Sequence, residues 1–200
     1  MTKHYDVTAL GEVLIDFTEN GSSAQGNPMY EANPGGAPCN VLAMLQKFGH
    51  KTAFLGKVGE DIFGRRLEIV LKEAGIDTAG LCMDPTVRTT LAFVEKKADG
   101  DRDFSFYRNP GADMMLRTEE LQEQILKDTR IFHFGTLSMT DEPVRSATRH
   151  AIETAKANGA LLSFDPNIRE PLWQSMEEAK RQTAYGMEVC DVLKISDNEI

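Results

Sequence analysis

Apolar residues in this chain fall into short runs separated by glycine and polar turns, and the spacing within the runs switches between a two-residue and a 3.6-residue period. Val7, Ala9 and Leu10 open one run, and Val13, Ile15 and Phe17 alternate with polar neighbours, so the pattern predicts extended structure around Gly11 as a first strand. Val41, Met44, Leu45 and Phe48 recur at helical spacing between Pro38 and Gly49, predicting a helix over 38–48. Residues 52–55 read as a strand, and Phe63, Leu67, Val70, Leu71 and Ala74 share one face of a helix stopped by Gly75. Further along, 131–134, 160–164 and 192–195 read as strands, with a helix over 144–155 between the first two.

Strand and helix in alternation imply crossover connections, and hence an α/β fold with a largely parallel sheet covered on both faces. Ligands then gather at the carboxyl ends of the strands. The middle of the chain departs from this order. Residues 89–95 and 103–107 are strand-like and flank the turn signal Ala98-Asp99-Gly100-Asp101, which predicts a hairpin. Phe104 and Phe106 share one of its faces, and an inserted hairpin of this kind serves as a flap, a cover or a dimer contact. No repeat or proline-rich linker divides residues 1–200, so one domain is expected. Ile200 follows a strand and the apparent first turn of a helix with no closing element, and the chain is read as the N-terminal portion of a longer domain.

Composition narrows the function. A chain of 200 residues with 41% hydrophobic content can bury a substantial core, and a net charge of −9 without a basic run argues against nucleic acid and for a small-molecule ligand. The three cysteines, Cys39, Cys82 and Cys190, form no C-x-x-C pair, which suggests neither a disulfide framework nor a zinc site and points to a reducing cytoplasm. No export signal is present, and no stretch approaches the ~20 apolar residues that span a bilayer, so no membrane association is expected.

Candidate chemistry sits where the predicted strands end. Gly35-Gly36 precedes a helix N-terminus, whose open amides suit a polyol or an anion, although the pair serves equally as a plain loop-to-helix turn beside a buried Asn40. Asp16 follows the first strand and could accept strong hydrogen bonds from hydroxyls; alone, it reads as a solvated turn aspartate. Tyr107 and Arg108 end the hairpin, where Arg108 either reaches a ligand or lies exposed on a strand. Asp165-Pro166-Asn167-Ile168-Arg169 comes straight after a strand, though Asp165 could also cap a turn and Arg169 pair with a surface acid. Lys194-Ile195-Ser196-Asp197-Asn198-Glu199 carries a Ser-x-x-Glu capping box. His4, His50, His133 and His150 lack metal-ligand spacing, and no G-x-S-x-G elbow, dinucleotide fingerprint or P-loop occurs, which disfavours a nicotinamide enzyme and a P-loop kinase.

In order along the chain, Gly11-Glu12-Val13-Leu14-Ile15-Asp16, the segment Gly35-Gly36-Ala37-Pro38-Cys39-Asn40, Gly56-Lys57-Val58-Gly59-Glu60-Asp61 with Phe63-Gly64, the run 106–113 and the run 165–169 resemble the ribokinase (PfkB) family, nearest to its bacterial fructokinases. The resemblance implies a ribokinase-like three-layer α/β/α sandwich with a small β lid built from segments near 16–34 and 89–108. It implies that Asp16, Gly35, Gly36 and Asn40 bind sugar hydroxyls, with Tyr107 and Arg108 from the lid and Arg169 from the sheet edge beside them. ATP would lie at Lys194 and Ser196, Glu199 would be linked indirectly to Mg, and the lid is a surface at which two copies could pair. Two departures stand out. Ser196 occupies a position where many relatives carry asparagine, and the family's Gly-Ala-Gly-Asp turn, source of the catalytic base and the anion hole, is missing. Gly111-Ala112-Asp113 lacks the second glycine and belongs to the lid run. The implied activity is ATP-dependent phosphorylation of a ketohexose such as fructose at a primary hydroxyl. No catalytic residue is expected among these 200; the base is expected after Ile200, and residues 1–200 alone are expected to be inactive. A 2-keto-3-deoxygluconate kinase and a non-catalytic sugar-binding module are the alternatives.

Overall fold

The computed structural model describes residues 3–96 and 102–199. Its elements run β1 (Tyr5–Leu10), β2 (Leu14–Ser22), β3 (Pro28–Gly35), α1 (Ala37–Lys47), β4 (Thr52–Gly59), α2 (Ile62–Glu73), β5 (Asp77–Asp84), β6 (Leu91–Lys96), β7 (Arg102–Tyr107), α3 (Glu123–Lys127), β8 (Thr129–Gly135), α4 (Val144–Ala157), β9 (Leu161–Asp165), α5 (Met176–Val189) and β10 (Val192–Leu193).

The main sheet has six parallel strands in the order β10-β9-β8-β1-β4-β5. Alternation along each strand sends side chains to opposite faces. Leu10, Leu55, Phe132, Phe134, Leu162 and Phe164 pack beneath α3, α4 and α5, whereas Val7, Ala9, Phe54 and Val58 pack under α1 and α2. Two cores on one sheet make the three-layer α/β/α arrangement that strand–helix alternation implies.

A second sheet of four strands, in the order β3-β2-β6-β7, forms the lid. Its two antiparallel pairs, β2 with β3 and β6 with β7, join through a parallel contact between β2 and β6. Asp61 fixes the lid root to the main domain: its carboxylate caps α2 at the Phe63 and Gly64 amides and also accepts the Thr89 amide at 2.8 Å.

Several elements differ from the sequence pattern for physical reasons. The extended run around Gly11 is two strands in two sheets, β1 in the main sheet and β2 in the lid, because the chain leaves the sheet at residues 11–13. β4 runs on to Gly59 through Lys57, a buried cation whose ammonium is held by Glu120 at 2.7 Å and Asp84 at 3.2 Å, so an apolar pattern does not mark it. α5 buries Ala179, Gln182, Thr183 and Gly186, small or polar residues that leave no apolar stripe to read. After β10, where the pattern places the first turn of a helix, Asp197–Glu199 form a 3-10 turn at the end of the described residues. Ile200, beyond which the catalytic base is expected, lies outside the described residues, as does the hairpin turn at 98–101. Among the described residues, no helix is long and apolar enough to cross a membrane.

Candidate functional site

A cleft of about 420 Å³ opens between the inner face of the lid and the carboxyl ends of β1 and β9. The two-residue period of the lid strands sorts what faces it. On β2, Leu14, Asp16 and Thr18 line the cleft, while Phe17 turns outward to stack on Phe93 at 4.9 Å between ring centroids and to meet Phe63 of α2 edge-on at 5.7 Å. On β7, Phe104 and Phe106 line the cleft, stacked on each other at 5.8 Å. Asn33 of β3 stands opposite Asp16 in register, and its amide donates to the Thr18 hydroxyl at 2.9 Å.

The glycine pair shapes the floor. A β-carbon on Gly35 would run into the Asp16 carboxylate, and Gly36 has a φ of 119° with the Glu12 carbonyl oxygen 2.5 Å from where a β-carbon would stand. Both positions therefore demand glycine, one for space and the other for space and backbone conformation. They bring Asp16, Gly36 and Asn40 to one wall, and Asn40 is exposed rather than buried.

The opposite wall is the loop after β9. Asn167 adopts a left-handed φ of 44°, which asparagine tolerates better than most side chains, and Arg169 lies with its guanidinium 5.7 Å from the Phe104 ring centroid. Burial raises the Asp16 pKa above its ordinary value, and the Arg169 charge across the cleft pulls it back down. Carboxylate and amide groups facing aromatic rings suit a molecule with a hydroxyl-bearing edge and an apolar C–H face.

Not every expected residue arrives there. Arg108 is buried beneath the lid, its side chain only 2% exposed; Nε meets Asp113 at 2.7 Å, and the other nitrogens donate to the Thr140 hydroxyl at 3.1 Å and the Leu137 carbonyl at 2.9 Å. It therefore does not line the cleft, which corrects the expectation of a lid arginine reaching ligand. Tyr107 is corrected too: it sits on the outer face of β7, is 66% exposed, and meets Phe93 edge-on at 5.4 Å. Asp113 of the Gly-Ala-Asp run is a buried partner for Arg108.

Lys194, Ser196 and Glu199 form a neighbouring group at the same sheet edge. The Lys194 ammonium reaches the Ser196 hydroxyl at 3.0 Å and Asp165 at 3.3 Å. Glu199 accepts the Ser196 amide at 2.9 Å, the capping contact foreseen from Ser-x-x-Glu, and the Ile168 amide at 2.8 Å. Both of its oxygens are thus engaged by backbone, and among the described residues no group of three or more His, Cys, Asp or Glu side chains could hold a metal ion. These residues do not fit a directly coordinated magnesium ion; Glu199 would reach one only through water.

The cleft also holds groups that the pattern did not single out as ligand contacts, namely Glu12, Thr18, Asn33 and the two phenylalanines, together with Asn167 of the 165–169 run. The shared face of Phe104 and Phe106, and the position of Glu12 directly after β1, were the available signals. A second depression, of about 580 Å³, lies at the amino ends of the strands near Asp6, His50 and Arg130, the end of an α/β sheet away from its ligand sites.

Comparison with known proteins matches the chain and its fold along nearly the whole length. Residues 5–200 match the model of the pfkB family carbohydrate kinases. A probable fructokinase of Arabidopsis thaliana is 46% identical over 97% of this chain, and the chain spans 57% of that protein's length. The fructokinase of Xylella fastidiosa is 37% identical and superposes with a TM-score of 0.91 over 97% of this chain and 60% of its own. A structure of it with bound ATP gives a TM-score of 0.88. A double mutant of the Vibrio cholerae fructokinase, in fructose-, ADP- and potassium-bound form, is 30% identical with a TM-score of 0.86 over 100% of this chain and 62% of its own.

Proposed function

As this chain belongs to the pfkB family of carbohydrate kinases, we propose that it forms the sugar-holding part of an ATP-dependent kinase that phosphorylates a primary hydroxyl of a ketohexose, fructose first among them. The observation that carries this reading is the cleft in which Asp16 and Asn40 stand across from Arg169 and the stacked Phe104 and Phe106. Its support from outside the chain is the Vibrio cholerae neighbour in its fructose-bound form. Phosphoryl transfer asks the protein mainly for in-line positioning and charge stabilisation. In this reading Asp16 and Asn40 orient the sugar by its hydroxyls, Arg169 adds a fixed positive charge, and the rings cover the C–H face and exclude water. ATP lies toward Lys194 and Ser196, with its magnesium carried on the phosphates. The base that takes the hydroxyl proton would come from a Gly-Ala-Gly-Asp turn, which the 200 residues up to Ile200 do not contain.

A 2-keto-3-deoxygluconate kinase is the weaker reading, because Arg108 is consumed by Asp113 and Tyr107 faces outward, leaving Arg169 alone to meet a carboxylate. Tyr30 and Tyr107, both exposed and both against Phe93 on the outer face of the lid, offer a second copy of the chain an apolar face to pack on, and free cysteines at Cys39, Cys82 and Cys190 suit a cytoplasmic setting. The test is sugar-dependent ADP release by the polypeptide at the full length of its relatives, and by residues 1–200 alone. The longer chain is expected to turn over with fructose and not with 2-keto-3-deoxygluconate, and the shorter one with neither. Turnover with the keto acid alone, or binding of sugar without turnover by the longer chain, would replace this reading.

A further inference from the structure

We propose that Glu12 is a positioning residue for the sugar, fixing Gly36 and Asn40 by holding the first turn of α1 through the hydrogen bond its carboxylate accepts from Ala37. The inference rests on the sugar-kinase reading for its consequence and on geometry for its mechanism. Glu12 is 5% exposed and borders both the cleft and a small cavity beneath Ala37 and Pro38. Its Oε1 accepts the Ala37 amide at 2.9 Å. Gly36, at the N-cap of α1, has no side chain to offer, and Pro38 has no amide, so the helix start takes its cap from the end of another element. The Glu12 backbone packs there as well, its carbonyl lying against Gly36 and receiving the Cys39 thiol at 4.0 Å. Moving Glu12 would thus move the turn that carries Gly36 and Asn40.

The hold depends on charge. A helix N-terminus favours an anion, and an ionised acceptor binds an amide more strongly than a neutral one. Burial is the largest influence on Glu12 and pushes its pKa from 4.5 up to about 7; its own backbone amide, the Ala37 amide and Arg108 pull down, and Asp113 pushes up. Other ionisable groups facing it are Cys39 on α1, whose thiol pKa burial raises well above its ordinary value, His133 of β8 and Asp165 across the small cavity, and Asp16 and Arg169 across the cleft. Burial lowers the His133 pKa and raises that of Asp16, so a pH profile of the wild type alone would mix them with Glu12. Glu12→Gln separates them, since the amide oxygen still accepts from Ala37 while the charge is gone.

Two measurements on the full-length polypeptide decide the matter. In the first, ¹⁵N-alanine and ¹³C-glycine labelling selects the Gly–Ala peptides, which within residues 1–200 are 36–37, 111–112 and 159–160 and to which the expected Gly-Ala-Gly-Asp turn adds another, and loss of one signal in Ala37→Ser assigns 36–37. The Ala37 amide shift is expected to titrate near pH 7 in the wild type and to stay flat in Glu12→Gln. In the second, the KM for fructose is expected to rise as pH falls through 7, and in Glu12→Gln to be raised about five- to ten-fold and pH-independent above 6, with kcat and the KM for ATP within about two-fold. Stability should move the other way. A carboxyl raised on folding destabilises as pH rises from its unfolded value through its folded one, here from 4.5 to about 7, so Glu12→Gln should melt higher than the wild type at pH 8. An Ala37 amide that does not titrate, or a Glu12→Gln variant with wild-type KM, overturns the proposal, as does a loss confined to kcat. A titrating Ala37 in a protein that phosphorylates no sugar leaves the hold intact and removes the sugar-kinase reading instead.

Discussion

Arg108 and Arg169 each answer to an aspartate near the lid, Asp113 for the first and Asp16 for the second, yet their surroundings differ in one decisive respect. Arg108 and Asp113 are 2% and 3% exposed in their side chains and satisfy each other, with Thr140 and Leu137 accepting from the other guanidinium nitrogens and the Thr90 hydroxyl donating to Asp113. Arg169 and Asp16 face each other across an open cleft, coupled through space. A closed pair of charges fixes the lid root; an open pair is left to meet a ligand. Residue type alone does not tell them apart, because what separates them is how far the neighbours have used the guanidinium: that of Arg108 is held by Asp113, Thr140 and Leu137, whereas that of Arg169 donates to its neighbour's carbonyl, Ile168, at 3.1 Å and still faces the cleft.

The contrast can be broken at either pair. The largest effect is expected from Arg108→Ala, which strands a buried Asp113 and should cost on the order of 3–5 kcal/mol in denaturant unfolding, with a matching fall in melting temperature. A loss below about 1 kcal/mol would mean that the pair is not the closed unit described. Asp16→Asn should leave stability nearly unchanged and raise the KM for fructose by about ten- to a hundred-fold, the weight of a charged hydrogen bond. Equal destabilisation by both variants would erase the distinction. Tyr107→Ala should do least: fructose kinetics within about two-fold, its one consequence being weaker self-association in sedimentation velocity under the proposed pairing of two copies through the lid. A large change in fructose KM would return Tyr107 to the cleft.

Much of the fold was legible because β1, α1, α2, β8, α4 and β9 obey clean periods bounded by Gly49, Gly75 and Gly159. What stayed hidden was held by means other than apolar pattern: α5 by small and polar residues, the end of β4 by the Lys57 ion pairs, and β3 as a mostly exposed lid edge rich in polar positions. The site divided along similar lines. Asp16, Gly36, Asn40 and Arg169 lie where strand ends and helix starts converge, which order along the chain reveals. Tyr107 was misplaced because a lid strand presents alternate residues to opposite sides and the sequence does not say which side faces the sheet, and Arg108, just past the end of β7, because its guanidinium is taken by Asp113, Thr140 and Leu137. Glu12 was passed over as a ligand contact although the motif containing it was visible. Its role depends on meeting an amide 25 residues away, a contact that only the folded chain creates.

The measurement closest to the central claim is a crystal structure with fructose bound. The account predicts the sugar between lid and sheet, its hydroxyls on Asp16 and Asn40 beside Arg169 and its C–H face against Phe104 and Phe106. Fructose seated instead in the depression near His50 and Arg130, or contacting Tyr107 on the outside of the lid, would contradict it.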